Sequence, residues 1–436
     1  VEISVLVLIV VFVALLVLHI PIAIAIGVAT LSAMLVSIDF IPAVTTVAQR
    51  MGGGINSFAL LAIPFFILSG LLMGRGGIAS RLIDFAKVLV GMLPGGLAFV
   101  NIIACTLFGA ISGSAVAATS AIGGFMIPQM NKEGYDKNFN AAVTVASSTS
   151  GLLIPPSNIL IVFSLASGGV SIAALFVAGY LPGLLVSLAL MAVCSVYAIK
   201  NGYPVAAVPT FKDFVQKSLA AIPSLFLIVL VIGGIISGWF TATEASVIAV
   251  IYAFLLSVFF YKEVKISDLP EILVKSVETT SIVLLLIATS TAMSWMLAYE
   301  NIPQAISDGM MGISDNPFVI LLLINIILLC VGIFMDMTPA VLIFTPIFLP
   351  VAVAIGIEPL HFGIMMVLNL CIGLCTPPVG AVLFVGCSIA KTSIANLIKP
   401  LLPLYLAMIA VLMLITYVPS IVLFLPELAG LYEAKP

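Results

Sequence analysis

The sequence predicts an all-α polytopic membrane protein made of two inverted-topology repeats, each with a re-entrant helical hairpin and a broken transmembrane helix. Three observations carry this. Of 436 residues, 63% are apolar and 8% charged, whereas an average soluble domain is about 25% charged. Apolar runs cover 3–18, 22–38, 58–73, 171–199, 221–236, 247–260, 281–297 and 318–334, and about 20 such residues make a membrane-crossing helix. Finally, Gly151-Leu-Leu-Ile-Pro155-Pro156 recurs as Gly373-Leu-Cys-Thr-Pro377-Pro378 at an offset of 222. A soluble enzyme, a nucleic-acid binder and a disordered scaffold are excluded by this composition. An outer-membrane barrel is excluded too, because its strands of about 10 residues alternate in polarity and these runs do not.

The same offset of 222 pairs Pro128 with Pro350 and the stretch 3–18 with 225–240. One register over the whole length implies two homologous halves, 1–205 and 206–436. In the first half, spans are expected at 3–19, 21–38 and 57–74. Residues 81–93 follow, with Arg81, Asp84 and Lys87 among apolar neighbours, as an amphipathic interfacial helix. The stretch 96–130 has two apolar arms meeting at Ser112-Gly113-Ser114 and returns to a charged loop at 131–138, the pattern of a re-entrant hairpin. A broken span at 141–166 and a span at 170–199 complete the half. Five crossings is an odd number, so the second half must be inverted. Its counterparts are 222–240, 243–261, 279–298, a hairpin at 317–352, a broken span at 362–390 and a span at 400–425.

Charge gives an independent test of this threading. It places Arg75, Arg81, Lys87, Lys132, Lys137, Lys200, Lys212, Lys217, Lys262, Lys265, Lys275, Lys391 and Lys399 on one face, leaving only Arg50 and Lys435 on the other. The lysine-rich face is therefore expected to be cytoplasmic and both termini to lie outside. Glu300, Asp308, Asp315 and Glu358 gather on the outer face. Val1 in place of Met suggests a trimmed, processed or fused start.

Four discontinuities interrupt apolar segments at membrane depth: 112–116, 147–158, 335–340 and 373–380. Non-helical backbone cannot face lipid, since each unpartnered N–H or C=O costs several kcal/mol, of order 2–7 on transfer scales. Such breaks persist where protein, ions or a watery cavity satisfy them, and paired breaks in inverted halves mark a transporter's binding site. Ser147, Ser148, Thr149, Ser150, Ser157 and Asn158 crowd the first break, with Ser112 and Ser114 at the hairpin tip. Hydroxyls and freed carbonyls suit a hard cation; the structural alternative is back-bonding of each hydroxyl to its own helix. No Lys or Arg lies in any break, so an anion there would be held by half-helix N-termini, Asn and Ser groups and co-bound cations.

Asp336 is the acid inside the second hairpin, and the offset pairs it with Ser114. An intramembrane carboxylate costs about 2.5–3.5 kcal/mol on insertion scales, so it serves as a cation ligand, a proton carrier or an N-cap for the following half-helix. Glu244 at the start of a span reads as a cap. His19 at a turn and His361 at an outer loop read as structural, and the six cysteines as buried free thiols. Gly109 and Gly113 form a GxxxG spacing that permits close packing. Without a P-loop, the chain hydrolyses no ATP itself.

Taken together, Gly109-Ala-Ile-Ser-Gly-Ser-Ala-Val-Ala-Ala-Thr119, Leu153-Ile-Pro-Pro-Ser-Asn158, Phe334-Met-Asp-Met-Thr-Pro339 and Cys375-Thr-Pro-Pro-Val-Gly380 resemble the large membrane subunit of tripartite ATP-independent periplasmic (TRAP) transporters. Ile63-Pro-Phe-Phe66 and Phe240-Thr-Ala-Thr-Glu-Ala245 fit as well, with Ala242 where that family often has Pro. The resemblance implies a Na⁺-driven importer of organic anions in the bacterial inner membrane, with sialic acid favoured over C4-dicarboxylates. It also implies a small four-helix membrane subunit, a soluble periplasmic binding protein and an elevator mechanism. By likeness, one Na⁺ site would use Ser112, Ser114, Gly151, Leu153 and Pro156, and a second Asp336, Thr338 and Thr376. Substrate would sit between the tips near Ser114, Ser157, Asn158 and Asp336. The alternatives are a stand-alone divalent-anion/Na⁺ symporter, a channel, which would need a selectivity segment repeated around an axis, and a membrane hydrolase, for which no nucleophile and base assemble.

Overall fold

A computed structural model describes residues 2–205, 208–314, 316–377 and 380–432. Asp315, Pro378, Val379 and Lys435, all used above, lie outside the described residues. Every regular element among the described residues is helical. The first half contains α1 (Glu2–Val17), α2 (Ile22–Ser37), α3 (Phe40–Ile55), a 3₁₀ turn at Phe58–Leu61 entering α4 (Ala62–Arg75), and α5 (Ile78–Val90). The hairpin is α6 (Gly96–Ser112) and α7 (Ala115–Lys132); the broken helix is α8 (Lys137–Ser150) and α9 (Asn158–Ala166); α10 (Ile172–Asn201) closes the half.

The second half repeats this order. It has α11 (Phe211–Ile236), α12 (Ala242–Phe254) continued by a π-helical turn at Leu255–Phe260, a 3₁₀ turn at Ile266–Asp268 entering α13 (Leu269–Tyr299), and α14 (Ile302–Ile313). Its hairpin is α15 (Pro317–Phe334) and α16 (Met337–Ala354), its broken helix α17 (Pro359–Leu374) and α18 (Ala381–Ala390), followed by α19 (Ile394–Tyr417) and α20 (Ser420–Leu428). Among the described residues, eight helical stretches are long and apolar enough to cross a membrane, and α1 and α2 are shorter apolar helices.

α3 has no counterpart in the sequence expectation. It is too polar for a span, and it lies close on α13: a Cβ on Gly54 would fall 2.5 Å from Thr291 Oγ1, and the Arg50 guanidinium stacks 5.2 Å from the Trp295 ring. The final expected span also divides, because the chain turns at Val418-Pro419 between α19 and α20.

Packing between the halves is reciprocal: α4 packs on α12 and α2 on α13. Small residues allow it, as where Gly27 meets Thr289 Cγ2 at 3.1 Å from its would-be Cβ. On the lysine-rich face, Arg75 pairs with Glu271, Arg81 with Glu263 at 3.6 Å and Lys217 with Asp84 at 3.4 Å. Arg81 also covers the Tyr261 ring at 3.7 Å. Exposed ion pairs contribute only about 0–1 kcal/mol each, so they align α4 and α5 against the second half rather than hold the fold together. Glu244 forms a full capping box with Thr241, matching its structural reading.

Two readings are corrected. Cys330 is exposed on α15, while the other five thiols are buried and all six are free; it stands on the outward side of a helix whose Leu328 and Gly332, two residues away on either side, are buried. His361 is not in a loop: it lies in the first turn of α17, 1% exposed, with Nε2 2.7 Å from the Ile415 carbonyl oxygen. That partner accounts for its burial.

Candidate functional site

Hairpin and broken helix meet in each half through paired glycines. A Cβ on Gly109 would lie 3.0 Å from Gly151 Cα, and one on Gly332 would lie 2.9 Å from Gly373 Cα. Backbones can touch this closely only without side chains. The spacing Gly109–Gly113 thus serves packing within the chain. Polar side chains buried alongside bridge neighbouring helices: Asn101 Nδ2 donates to Thr144 Oγ1 at 2.6 Å, and Asn325 Nδ2 to Thr416 Oγ1 at 3.1 Å. Asn369 Nδ2 donates to Asn325 Oδ1 at 2.8 Å.

At the first tip α6 ends with Gly113 in the left-handed region, φ +63°, its N–H on the Gly109 carbonyl at 2.8 Å. Ser114 caps α7 by accepting from Ala117 N–H at 3.2 Å. Ser112 Oγ stays within 3.4 Å of the Ser114 backbone. This tip rests on the first break, since a Cβ on Gly113 would come 2.9 Å from Asn158 Nδ2. It also rests on α4, where a Cβ on Gly70 would come 2.8 Å from the Ser112 carbonyl oxygen.

In the first break, Ser157 Oγ donates to the Leu152 carbonyl and closes the turn at 151–157. The Leu153 carbonyl faces α10, 2.0 Å from where a Cβ on Gly179 would stand. Pro156 follows a cis peptide bond. Ser147, Ser148, Thr149 and Ser150 all donate to carbonyls of their own helix at 2.6–2.9 Å, so their protons are committed and only oxygen lone pairs remain. Asn158 differs. Its Oδ1 is buried and has no hydrogen-bond partner among the described residues.

The second tip carries Asp336 between α15 and α16. The residue is exposed, and although it occupies the N-cap position of α16, its side chain makes no capping hydrogen bond. Thr338 is half-buried one residue into α16. In the second break Thr376 N–H donates to the Gly373 carbonyl at 2.9 Å and its Oγ1 to the Ile372 carbonyl at 2.8 Å. The two breaks are neighbours, with Thr149 Oγ1 4.0 Å from Cys375 Sγ. Each half supplies the other's wall: α18 packs on α7 and α9 on α16. Gly386 admits Val145, and Gly363 admits the Phe163 ring.

The fold therefore gathers Ser112, Ser114, Gly151, Ser157 and Asn158 around the first tip and break, with Cys375 and Thr376 adjacent. Asp336 and Thr338 stand at the second tip, packed through α16 against α9. Tyr405 on α19 is a residue the sequence did not single out: its hydroxyl is buried without a hydrogen-bond partner among the described residues. Only its polarity in an apolar span signalled it. Among the described residues no group of three His, Cys, Asp or Glu side chains is placed to hold a metal. What the first site offers is hydroxyl, carbonyl and amide oxygen with an unpartnered buried acceptor, a donor set that fits an alkali cation.

Comparison with known proteins agrees with this architecture. Residues 9–421 match the family model described as "Tripartite ATP-independent periplasmic transporter, DctM component". The chain is 55% identical over 400 residues to the uncharacterized protein YgiK of Salmonella typhimurium, covering 92% of each. It is 40% identical to the C4-dicarboxylate TRAP transporter large permease protein DctM of Rhodobacter capsulatus, covering 92% of this chain and 94% of that one. With the sialic acid TRAP transporter large permease protein SiaM of Vibrio cholerae it shares 41% identity, covering 87% and 89%. Among solved structures, the Alcanivorax borkumensis YdaH transporter matches with a TM-score of 0.62 at 14% identity, covering 87% and 88%, a likeness of fold.

Proposed function

This chain belongs to the family of DctM components of tripartite ATP-independent periplasmic transporters, and from that premise we propose that it carries a small organic anion inward, coupled to Na⁺. It is a multi-span transport subunit, not an enzyme, and works with other components. In the proposed assembly these are a small four-helix membrane subunit and a soluble periplasmic binding protein. The site is the bacterial inner membrane, with both termini periplasmic. The reading is supported above all by the first tip and break, where Asn158 packs against Gly113 and keeps its buried Oδ1 without a hydrogen-bond partner among the described residues.

Ser112, Ser114, Gly151, Leu153 and Pro156 would hold one Na⁺, and Asp336, Thr338 and Thr376 a second. Bound Na⁺ would supply the positive charge that these breaks lack. Ser114, Ser157, Asn158 and Asp336 would orient the anion, with the α7 and α9 N-termini directed at its negative charge. The hairpins and broken helices would move as one body against α1, α2, α4 and α11–α13. The Gly70–Ser112 contact supports this, because a glycine there leaves backbone against backbone with no interlocking side chain. Sialic acid and C4-dicarboxylates, named for two relatives, share the carboxylate such a site would take.

The test is uptake into proteoliposomes holding this chain and its small subunit, with an inward Na⁺ gradient, with and without the binding protein. Labelled sialic acid and a C4-dicarboxylate would be compared. Uptake needing both gradient and binding protein supports the proposal. Uptake without the binding protein favours a stand-alone symporter, and Na⁺-independent uptake overturns the coupling.

A further inference from the structure

On the lysine-rich face, a groove of about 850 Å³ opens between the end of α10 and the start of α19, beside the start of α8. We infer that this groove is a binding site for one anionic phospholipid with a hydroxyl-bearing headgroup, namely phosphatidylglycerol. The polarity of its walls is graded along both helices. On α10, Val193 and Val196 line it below Lys200; on α19, Pro403 lines it below Lys399 and Pro400. Seven residues of helix from Val193 to Lys200 span about 10 Å, so an apolar floor rises to a cationic rim along the bilayer normal. Val196 is 68% exposed within a membrane span, and the floor is thus continuous with the lipid-facing surface.

The electrostatics favour an anion at that rim. Neither Lys200 nor Lys399 makes an ion pair among the described residues. Lys399 stands in the second turn of α19, whose N-terminus has no side-chain cap and already carries the positive end of the helix dipole. The lining holds two ammonium groups, Lys200 and Lys399, against one carboxylate, Asp136, which also caps α8 by accepting from Phe139 N–H at 2.8 Å. Positive charge therefore prevails. Basic pockets between spans on such a face bind anionic lipid headgroups.

Two further groups select the headgroup. Pro400 and Pro403 lie inside α19 and cannot donate, so the Asn396 and Lys399 carbonyls lose their helical partners. Both residues line the groove. Asn396 also brings an exposed side-chain amide to the lining, and a hydrogen-bonding amide beside two ammonium groups suits a phosphate bearing a glycerol hydroxyl, whereas a soluble phosphate would leave the apolar floor unfilled.

The full chain, purified with its small membrane subunit and delipidated, would be titrated with dioleoylphosphatidylglycerol or dioleoylphosphatidylcholine and read by native mass spectrometry. One phosphatidylglycerol is expected to be retained, at least ten times more tightly than phosphatidylcholine. K200Q/K399Q should remove that preference, and Val196→Trp should block binding with both lysines in place. The control K212Q/K262Q, with the same charge change elsewhere, should leave it intact. Equal loss in the control, no loss in K200Q/K399Q, or equally effective displacement by glycerol 3-phosphate would overturn the assignment. So would retention seen only when the small subunit is removed, which would make the groove part of that interface.

Discussion

Thr149 Oγ1 and Cys375 Sγ stand 4.0 Å apart, so the two helix breaks, separated by more than 200 residues of sequence, share one place in the core. Thr149 belongs to the last turn of α8 and Cys375 follows the last turn of α17. The carbonyls of both helix ends are taken up locally by the turns that follow, Thr149 by Leu152 N–H at 3.1 Å and Gly373 by Thr376 N–H at 2.9 Å, so each keeps one lone pair at most for a ligand. The last turn of one break thereby meets the turn of the other, with Thr376 next in sequence to that contact.

Asn158→Leu separates function from stability. Its Oδ1 is buried without a partner among the described residues, and such an acceptor costs about 1–3 kcal/mol. The variant should melt no lower than the parent in detergent, yet lose uptake by about tenfold or more, the 1.4 kcal/mol of one lost contact. A lower melting temperature with uptake unchanged would show that Asn158 only braces Gly113.

Asp336 and Ser114 should part company. Asp336 makes no capping bond, so Asp336→Asn should leave thermal stability unchanged and abolish Na⁺-driven uptake. Ser114 does cap α7; Ser114→Ala should cost about 1 kcal/mol of stability as well as uptake. Thermal melts and transport on the same preparations decide between these roles, and wild-type uptake in either variant removes that residue from the site.

Alanine at Gly109 or Gly332 tests the hairpin contacts. Each new Cβ would come within 3.0 Å of a glycine Cα in the opposing helix. Overpacking of this kind costs about 1–3 kcal/mol, expected as a lower melting temperature for both variants. Gly124→Ala, where a Cβ meets nothing within 4 Å, should show no such drop.

Thiol reactivity tests the outward face of α15. Cys330 is exposed and the five other thiols are buried. Membrane-permeant N-ethylmaleimide should add one label to the native chain and six after denaturation, counted by intact mass. A native count of zero would place α15 against another surface of the assembly.

Much of the fold was legible because a bilayer permits few solutions. Hairpin arms, broken helices and the amphipathic helix α5 fall where apolar length and charge put them, since every backbone group in lipid must be satisfied locally. The glycines at 151 and 373 were visible as a repeat and Gly109 in a GxxxG spacing, but that Gly109 meets Gly151 and Gly332 meets Gly373 was not, because close approach depends on how helices cross. α3 escaped notice because its polarity suits neither a span nor a loop, and only its seat on Thr291 and Trp295 of α13 defines it. For the serine cluster at 147–150 the sequence left ligation and back-bonding both open; the structure shows each hydroxyl donating its proton to α8 itself, which leaves the oxygen lone pairs.

By itself the sequence determined the class, the two-fold repetition, the four breaks and the lysine-rich face, all consequences of hydrophobic length, Pro/Gly chemistry and charge placement along one chain. Tertiary structure alone decided which breaks touch, that Asn158 rather than its serine neighbours keeps an unpartnered oxygen, and that Asp336 leaves its helix uncapped. Those facts depend on distances between residues far apart in sequence, which composition and spacing do not encode.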